Sequence, residues 1–413
     1  MNIKNIVAAV ILAGSLACAH SALAQEMTLA QCVATALAGH PSLTAAEGTA
    51  EARKAQVSQA AVSRRTKLNA SGSYSRSDNG NWDTGVSLSQ NVFDWGKSKA
   101  SIQSAQLSHK AAQADYLDTR NTVIADVKAA YYGLNKTARE IAVLRDQVTN
   151  YQKRLDWAQS YYSAGTKAKI EVTKAETDLA NAKLALIQSE SSQEQYKAQL
   201  ASAMGVPALQ ITAASDELDY KKWDIPLDEA LELAAQKRPD LASQALLVDK
   251  ARADVRSAAL TNAPDLTASG GYSFGGRSAF DDDQWSVKLN LEFQIGDGGM
   301  TKAKTAQSRA ELKTAQAKYD KLAQDIVLEV RKAWQSLNEA SASITAAQIA
   351  EKQAKETLDL ALGRYRAGVG DSLEISDAVD GYAQAQTKVI ACLYQHQEAR
   401  LNLEKATGKV SAQ

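Results

Sequence analysis

Side chains that could do covalent or metal chemistry are few in this chain, and they are scattered. His20, His40, His109 and His396 stand far apart, and none has Asp or Cys at ligand spacing. No HExxH, GxSxG or phosphate-cradling glycine loop occurs; Gly270-Gly271 and Gly275-Gly276 read as strand and loop glycines. Met and Cys do not gather as a soft-metal relay would. These residues point to no enzyme and no cofactor, and nothing here binds a nucleotide, so any driving energy must come from a partner. Acids at i and i+3, such as Glu374 and Asp377, share a helical face. That face is either the solvated side of a coiled coil or a local source of negative potential.

The elements that would position this pair are written twice. Residues 29–43 match 227–241 at a spacing of 198, as do Ala70-Ser71-Gly72 and Ala268-Ser269-Gly270. Val127, Leu134, Ala164-Gly165, Ile170-Glu171-Val172 and Gly205 match Val330, Leu337, Ala367-Gly368, Leu373-Glu374-Ile375 and Gly408 at 203. A register held over most of two halves marks a duplicated half-protein, since the unit is far too long for a solenoid repeat. The expected organisation is a leader at 1–24, a first repeat at 25–213, a linker at 214–225 and a second repeat at 226–413.

The leader has Lys4, an apolar run from Ile6 to Cys18 too short to span a bilayer, and Ala22-Leu23-Ala24 as a cleavage site. Lipidation at Cys18 is an alternative, although Ser15 stands where a lipobox has an aliphatic residue. Cys32 and Cys392 remain in the mature chain, either as a pair joined by the duplication or as two small buried apolar residues. Acidic and basic residues number 47 each and are well mixed, so no basic block suggests nucleic acid. No mature segment reaches 18 consecutive apolar residues, which leaves a β-barrel as the route into a membrane.

Each half reads helix, strand, strand, long helix, turn, helix. The long helices are expected at about 98–163 and 301–366, each spanning roughly 100 Å. Leu312, Ala315, Tyr319, Leu322, Ile326, Val330, Ala333 and Leu337 step by three and four, a narrow coiled-coil seam. The five prolines avoid both helices; Pro41 and Pro239 fall at equivalent bends. Strands are expected at about 67–76, 83–94, 265–275 and 284–295. From Trp285 to Ile295 apolar and polar residues alternate, a length that suits a tilted outer-membrane strand. Tyr74, Trp82, Phe93, Trp95, Tyr272, Phe274 and Trp285 cluster toward strand ends as an interfacial girdle does. The flanking helices are too polar and thin to bury a soluble hairpin.

Four strands leave two open edges, and in lipid every edge amide must be paired. Closed single-chain barrels begin at about eight strands, so several chains must share one. The fold class expected is mainly α with a small β part, two tandem repeats of long antiparallel coiled-coil helices giving four strands per chain to a common barrel.

With these features assembled, the chain resembles the TolC-like outer membrane efflux proteins. The resemblance is carried by the duplicated half, the paired strands, the strand exits Asp94-Trp95-Gly96 and Asp297-Gly298-Gly299, and the turn Arg364-Tyr365-Arg366-Ala367-Gly368 followed by Leu373-Glu374-Ile375 and Asp377-Ala378. It implies a homotrimer with a 12-stranded barrel in outer-membrane lipid, an α-helical tunnel across the periplasm, and an inner end that docks a periplasmic adaptor and an inner-membrane transporter. The chain would then be the passive exit duct of a tripartite efflux pump or type I secretion system.

The same resemblance implies roles for single residues. Gly165 and Gly368 would be turns of the periplasmic tip, where the adaptor docks. Glu374 and Asp377 would form acidic rings at the pore constriction, repelling anions, attracting cations and raising each other's pKa. Tyr365 and Glu171 match a tyrosine and an acid that link the tip. A basic residue used in such links is absent, because Gly370 stands there; Arg364 or Arg366 could substitute. The rivals are a soluble periplasmic coiled-coil scaffold, which should lack the 285–295 alternation, and a plain porin, which would need at least about eight strands per chain.

Overall fold

The computed structural model describes residues 25–76, 81–207, 211–214, 220, 223, 225–276, 282–367 and 369–410. The leader with Cys18, the turn residue Gly368 and part of the proposed linker lie outside the described residues. In chain order the elements are β1 (Gln25–Met27), α1 (Leu29–Gly39), α2 (Pro41–Val62), β2 (Lys67–Ser75), β3 (Asn81–Phe93), α3 (Lys97–Ser163), α4 (Lys169–Met204), β4 (Ile211–Ala214), α5 (Leu227–Lys237), α6 (Pro239–Ala259), β5 (Asp265–Gly276), β6 (Asp282–Glu292), α7 (Met300–Arg366) and α8 (Ser372–Ala406).

α3 and α7 are each 67 residues long, about 100 Å at ~1.5 Å per residue. Helices this long and polar are stable only through packing. Their seams are narrow: on α7, Ile326, Val330, Ala333, Leu337, Ala340, Ile344 and Ala347 are buried at steps of three and four. The duplication recurs in the cores. Cys32, Ala36, Val127, Leu134 and Leu200 gather α1, α3 and α4; the matching Ala230, Ala234, Val330, Leu337 and Leu403 gather α5, α7 and α8. A third cluster lies at the far ends of the long helices, built on Tyr151, Leu155, Leu179, Leu358, Tyr365, Ile375 and Val379. Cys32 and Cys392 are both free and buried in different clusters, which removes the disulfide alternative.

Each repeat closes with the same fit. The glycines after α4 and α8, Gly205 and Gly408, have φ of 69° and 71°. A Cβ on Gly205 would come within 2.9 Å of the Pro41 ring, and one on Gly408 within 2.8 Å of the Lys237 carbonyl. Glycine therefore lets each long hairpin return against its own repeat's helix–proline corner.

The strands form a sheet of order β2-β3-β5-β6, antiparallel throughout, so the two repeats join at β3–β5. The alternation expected to run to Ile295 stops pairing at Glu292, and β6 begins earlier, at Asp282. The register sorts side chains by face. Ala70, Val86, Tyr272 and Trp285 lie in one cross-sheet row, and Leu68, Leu88, Gly270 and Val287 in the next. The opposite face carries Ser71, Gly85, Ser273 and Gln284 beyond the first row, and Asn69, Ser87, Gly271 and Ser286 between the two. One face is thus mainly apolar and exposed, with Trp285, Val287, Leu289 and Leu291 among its least covered side chains, and the other is polar. The short parallel pair β1–β4 was not foreseen; its three or four residues carry no readable pattern.

Candidate functional site

Strand becomes helix through a duplicated device. Asp94 Oδ2 accepts from Ser98 N at 2.9 Å and Oδ1 from Gly96 N at 3.2 Å. Asp297 Oδ2 accepts from Thr301 N at 2.7 Å and Oδ1 from Gly299 N at 2.9 Å. Both carboxylates fill amide donors that a helix start leaves open. The chain turns there through two left-handed residues, Trp95 and Gly96 at φ 51° and 96°, and Gly298 and Gly299 at 61° and 91°. Trp95 holds a setting that disfavours a side chain, and its ring packs edge-on to Phe93 at 4.8 Å.

At the opposite end, α3 stops in a Schellman turn. Gly165, at φ 73°, donates to Tyr162 O at 3.0 Å, and Thr166 N donates to Tyr161 O at 3.0 Å. After α7, Val369 N donates to Arg364 O at 3.1 Å, and Gly368 lies outside the described residues. Gly370 donates to the same Arg364 carbonyl at 3.1 Å. A Cβ at 370 would lie 2.7 Å from Tyr365 N and 3.0 Å from Arg364 C. Backbone cannot yield as a side-chain end can, so any side chain at 370 would force this turn to shift. α8 then starts with Asp371 capping Leu373 N at 3.4 Å.

α8 divides its first turns sharply. Ser372, Ile375, Ser376 and Val379 are buried, whereas Glu374 is partly open and Asp377 exposed. The two acids lie on one outward face. Glu374 is not free: Arg364 Nε bridges the turn to its Oε1 at 3.0 Å. Arg364 therefore meets Glu374 within this chain, and Arg366 stacks over the Trp157 ring at 5.6 Å. Tyr365 is buried, with ring centroids 6.1 Å from Trp157 and 5.8 Å from Tyr161. Burial pushes its phenol above the ordinary range, and Tyr161 and the nearby Glu171 charge act in the same direction. Glu171, in the first turn of α4, has one carboxylate oxygen buried without a hydrogen-bond partner.

Sequence reasoning missed a buried base here. Arg154 on α3 is 1% exposed and reaches Asp178 on α4 and Ser372 and Ser376 on α8. On a long polar helix it reads as one more solvated base. The only hint was that the matching position of the second repeat is Thr357.

Among the described residues no helix is long and apolar enough to cross a membrane, and no group of three or more His, Cys, Asp or Glu is placed to hold a metal. The sheet, with its exposed apolar face, is the element that fits lipid. The sequence model of the outer membrane efflux protein family matches residues 32–206 and 230–409. The chain belongs to the outer membrane efflux protein family. Protein CyaE of Bordetella pertussis is 28% identical over 402 residues, covering 93% of this chain and 85% of that protein. Outer membrane protein TolC of Escherichia coli strain K12 is 24% identical over 350 residues, 79% of this chain and 69% of that protein. The pyoverdine export outer membrane protein OpmQ of Pseudomonas aeruginosa is 24% identical over 344 residues, 82% and 73%. In fold, the outer-membrane channel OprN superposes with a TM-score of 0.83 at 19% identity, covering 92% of this chain and 90% of that one. VceC from Vibrio cholerae gives 0.83 at 20%, covering 92% and 96%. This outer membrane efflux protein thus places its sheet in the outer membrane, with the long helices running away from it.

Proposed function

We propose that three copies of this chain form the passive exit duct of a tripartite efflux or type I secretion system, fed by an inner-membrane transporter through a periplasmic adaptor. The observation that carries this reading is the sheet. It has one mainly apolar face, one polar face and two open edges, on β2 and β6. Lipid demands that such edges be paired and that the polar face meet water, and both demands are met when copies join edge to edge around a lumen. Three copies of four strands make a barrel wide enough for an aqueous path. The helical hairpins then extend that path, and the turns at 163–170 and 366–373 present the docking surface for the adaptor, with Gly165, Gly368, Glu171, Tyr365 and Arg364 shaping it.

In this reading Glu374 and Asp377 face the narrowest part of the duct and favour cations there. The Arg364–Glu374 bridge is exposed, and such pairs contribute only about 0–1 kcal/mol, so it leaves the acid available. The test is the mass and single-channel behaviour of the mature protein purified from outer membranes. A trimer with small, cation-selective openings supports the duct, and changing Glu374 and Asp377 together to Ala should weaken that selectivity and relieve block by multivalent cations. A water-soluble monomer or dimer without channel activity would overturn it.

A further inference from the structure

α3 and α8 belong to different repeats, yet polar side chains tie them over about two turns of α8. Arg154 Nη2 donates to Ser372 Oγ at 2.7 Å, and Nη1 bonds both Ser376 Oγ and Asp178 Oδ2. Ser376 Oγ in turn donates to Asp178 Oδ2 at 3.0 Å. One turn further along, the Tyr151 hydroxyl donates to Asp380 Oδ1 at 2.5 Å. Ser372, Ser376 and Asp380 step by four and present one stripe of α8 to α3.

A buried guanidinium stays charged and must be paired, so Arg154 demands that its partners remain where they are. Asp178 neutralises it from within the first repeat's hairpin; the two hydroxyls come from the second. Rotating α8 by one residue, about 100°, would carry both hydroxyls away from a charge that cannot be left bare. Glu374 and Asp377 sit on the same two turns of α8 as Ser372 and Ser376, on the side away from Arg154. The cluster has no second copy: the positions matching Arg154, Ser376 and Asp178 in the other repeat are Thr357, Thr173 and Gly381. It occurs only behind the acid pair.

We propose that Arg154, held by Asp178 and gripping Ser372 and Ser376, is the positioning residue that sets the rotation of α8 and so aims Glu374 and Asp377 into the duct. This rests on the reading of those two acids as lining the constriction.

The experiment is ion selectivity and La3+ block of the full-length trimer in planar bilayers, for Arg154→Met, for Ser372→Ala with Ser376→Ala, and for Glu374→Ala with Asp377→Ala. If Arg154 aims the acids, the first two variants raise the half-blocking La3+ concentration by about tenfold while the trimer keeps its mass, and Arg154→Lys recovers part of the block. A trimeric Arg154 or double-serine variant with native block and selectivity overturns the proposal, even if it melts earlier. Should Arg154→Met not assemble, the double-serine variant decides, since it removes only two hydroxyls. Native block in the acid variant would instead overturn the constriction reading itself, whatever Arg154 does.

Discussion

Asp94 and Asp297 show how one carboxylate serves a long helix. Burial pushes Asp94 up, but hydrogen bonds from Ser98 and Gly96 outweigh it and hold the group below the ordinary carboxylate range; hydrogen bonds from Thr301 and Gly299 do the same for Asp297. Replacing Asp94 by Ala should cost about 1 kcal/mol, as helix-cap losses do, and adding Asp297→Ala should lower stability further, because the two sites share no partners. Thermal melts followed by circular dichroism in detergent would read this; a double variant no worse than either single would show that the caps do not act independently. At the tip, Gly370→Ala places a methyl against the Tyr365 and Arg364 backbone. An overpacking cost of about 1–3 kcal/mol is expected, visible as faster protease cutting in the 366–373 turn. Unchanged cutting would mean that the turn opens at little cost. The residue scale is also where the sequence was least legible. The spacing of Glu374 and Asp377 gave their shared face, but the Arg364–Glu374 bridge and the burial of Arg154 depend on neighbours 10 and more than 200 residues away. No local pattern carries such contacts.

At the scale of elements, period and repeat were readable because each rests on one physical rule. Alternation by two gave the strands, steps of three and four gave the helix seams, and the duplicated spacing tied them together. Short pieces without a period, such as β1 and β4, gave no such signal, and the end of β6 was overrun because alternation continues past the last paired residue. The packing of α3 on α8 makes a further prediction. Burial, then the hydrogen bond to Asp380, pushes the Tyr151 phenol far up, and burial pushes Tyr394 on α8 to about 12. Both groups bind their protons more tightly when folded, so below about pH 10 they are protonated in both states and make no difference. Above it the unfolded chain ionises first, and stability falls as pH rises. Helix content should therefore be steady from neutral pH to about 10 and drop beyond it, and Tyr151→Phe should delay the drop. A Tyr151→Phe variant with the native alkaline profile would remove that residue from the linkage.

For the whole molecule, the decisive feature is that neighbouring residues on one strand face different solvents. Val287 lies mid-strand on the apolar face opposite Gly270, and Ser286 lies beside it on the polar face opposite Gly271. A single substitution made at each position separates membrane insertion from conduction. Val287→Arg puts a charge into hydrocarbon and should cost about 2–4 kcal/mol near the midplane, reducing the amount of protein recovered in outer membranes. Ser286→Arg puts the same charge into water, so the protein should insert at native levels and its channels should show a weaker cation preference. The helices, the caps and the tip are untouched by either change, so folding of the hairpins cannot account for a difference between them. Equal recovery of both variants with unaltered selectivity would mean that the sheet does not close around a lumen, and it would return the polar face to some other partner.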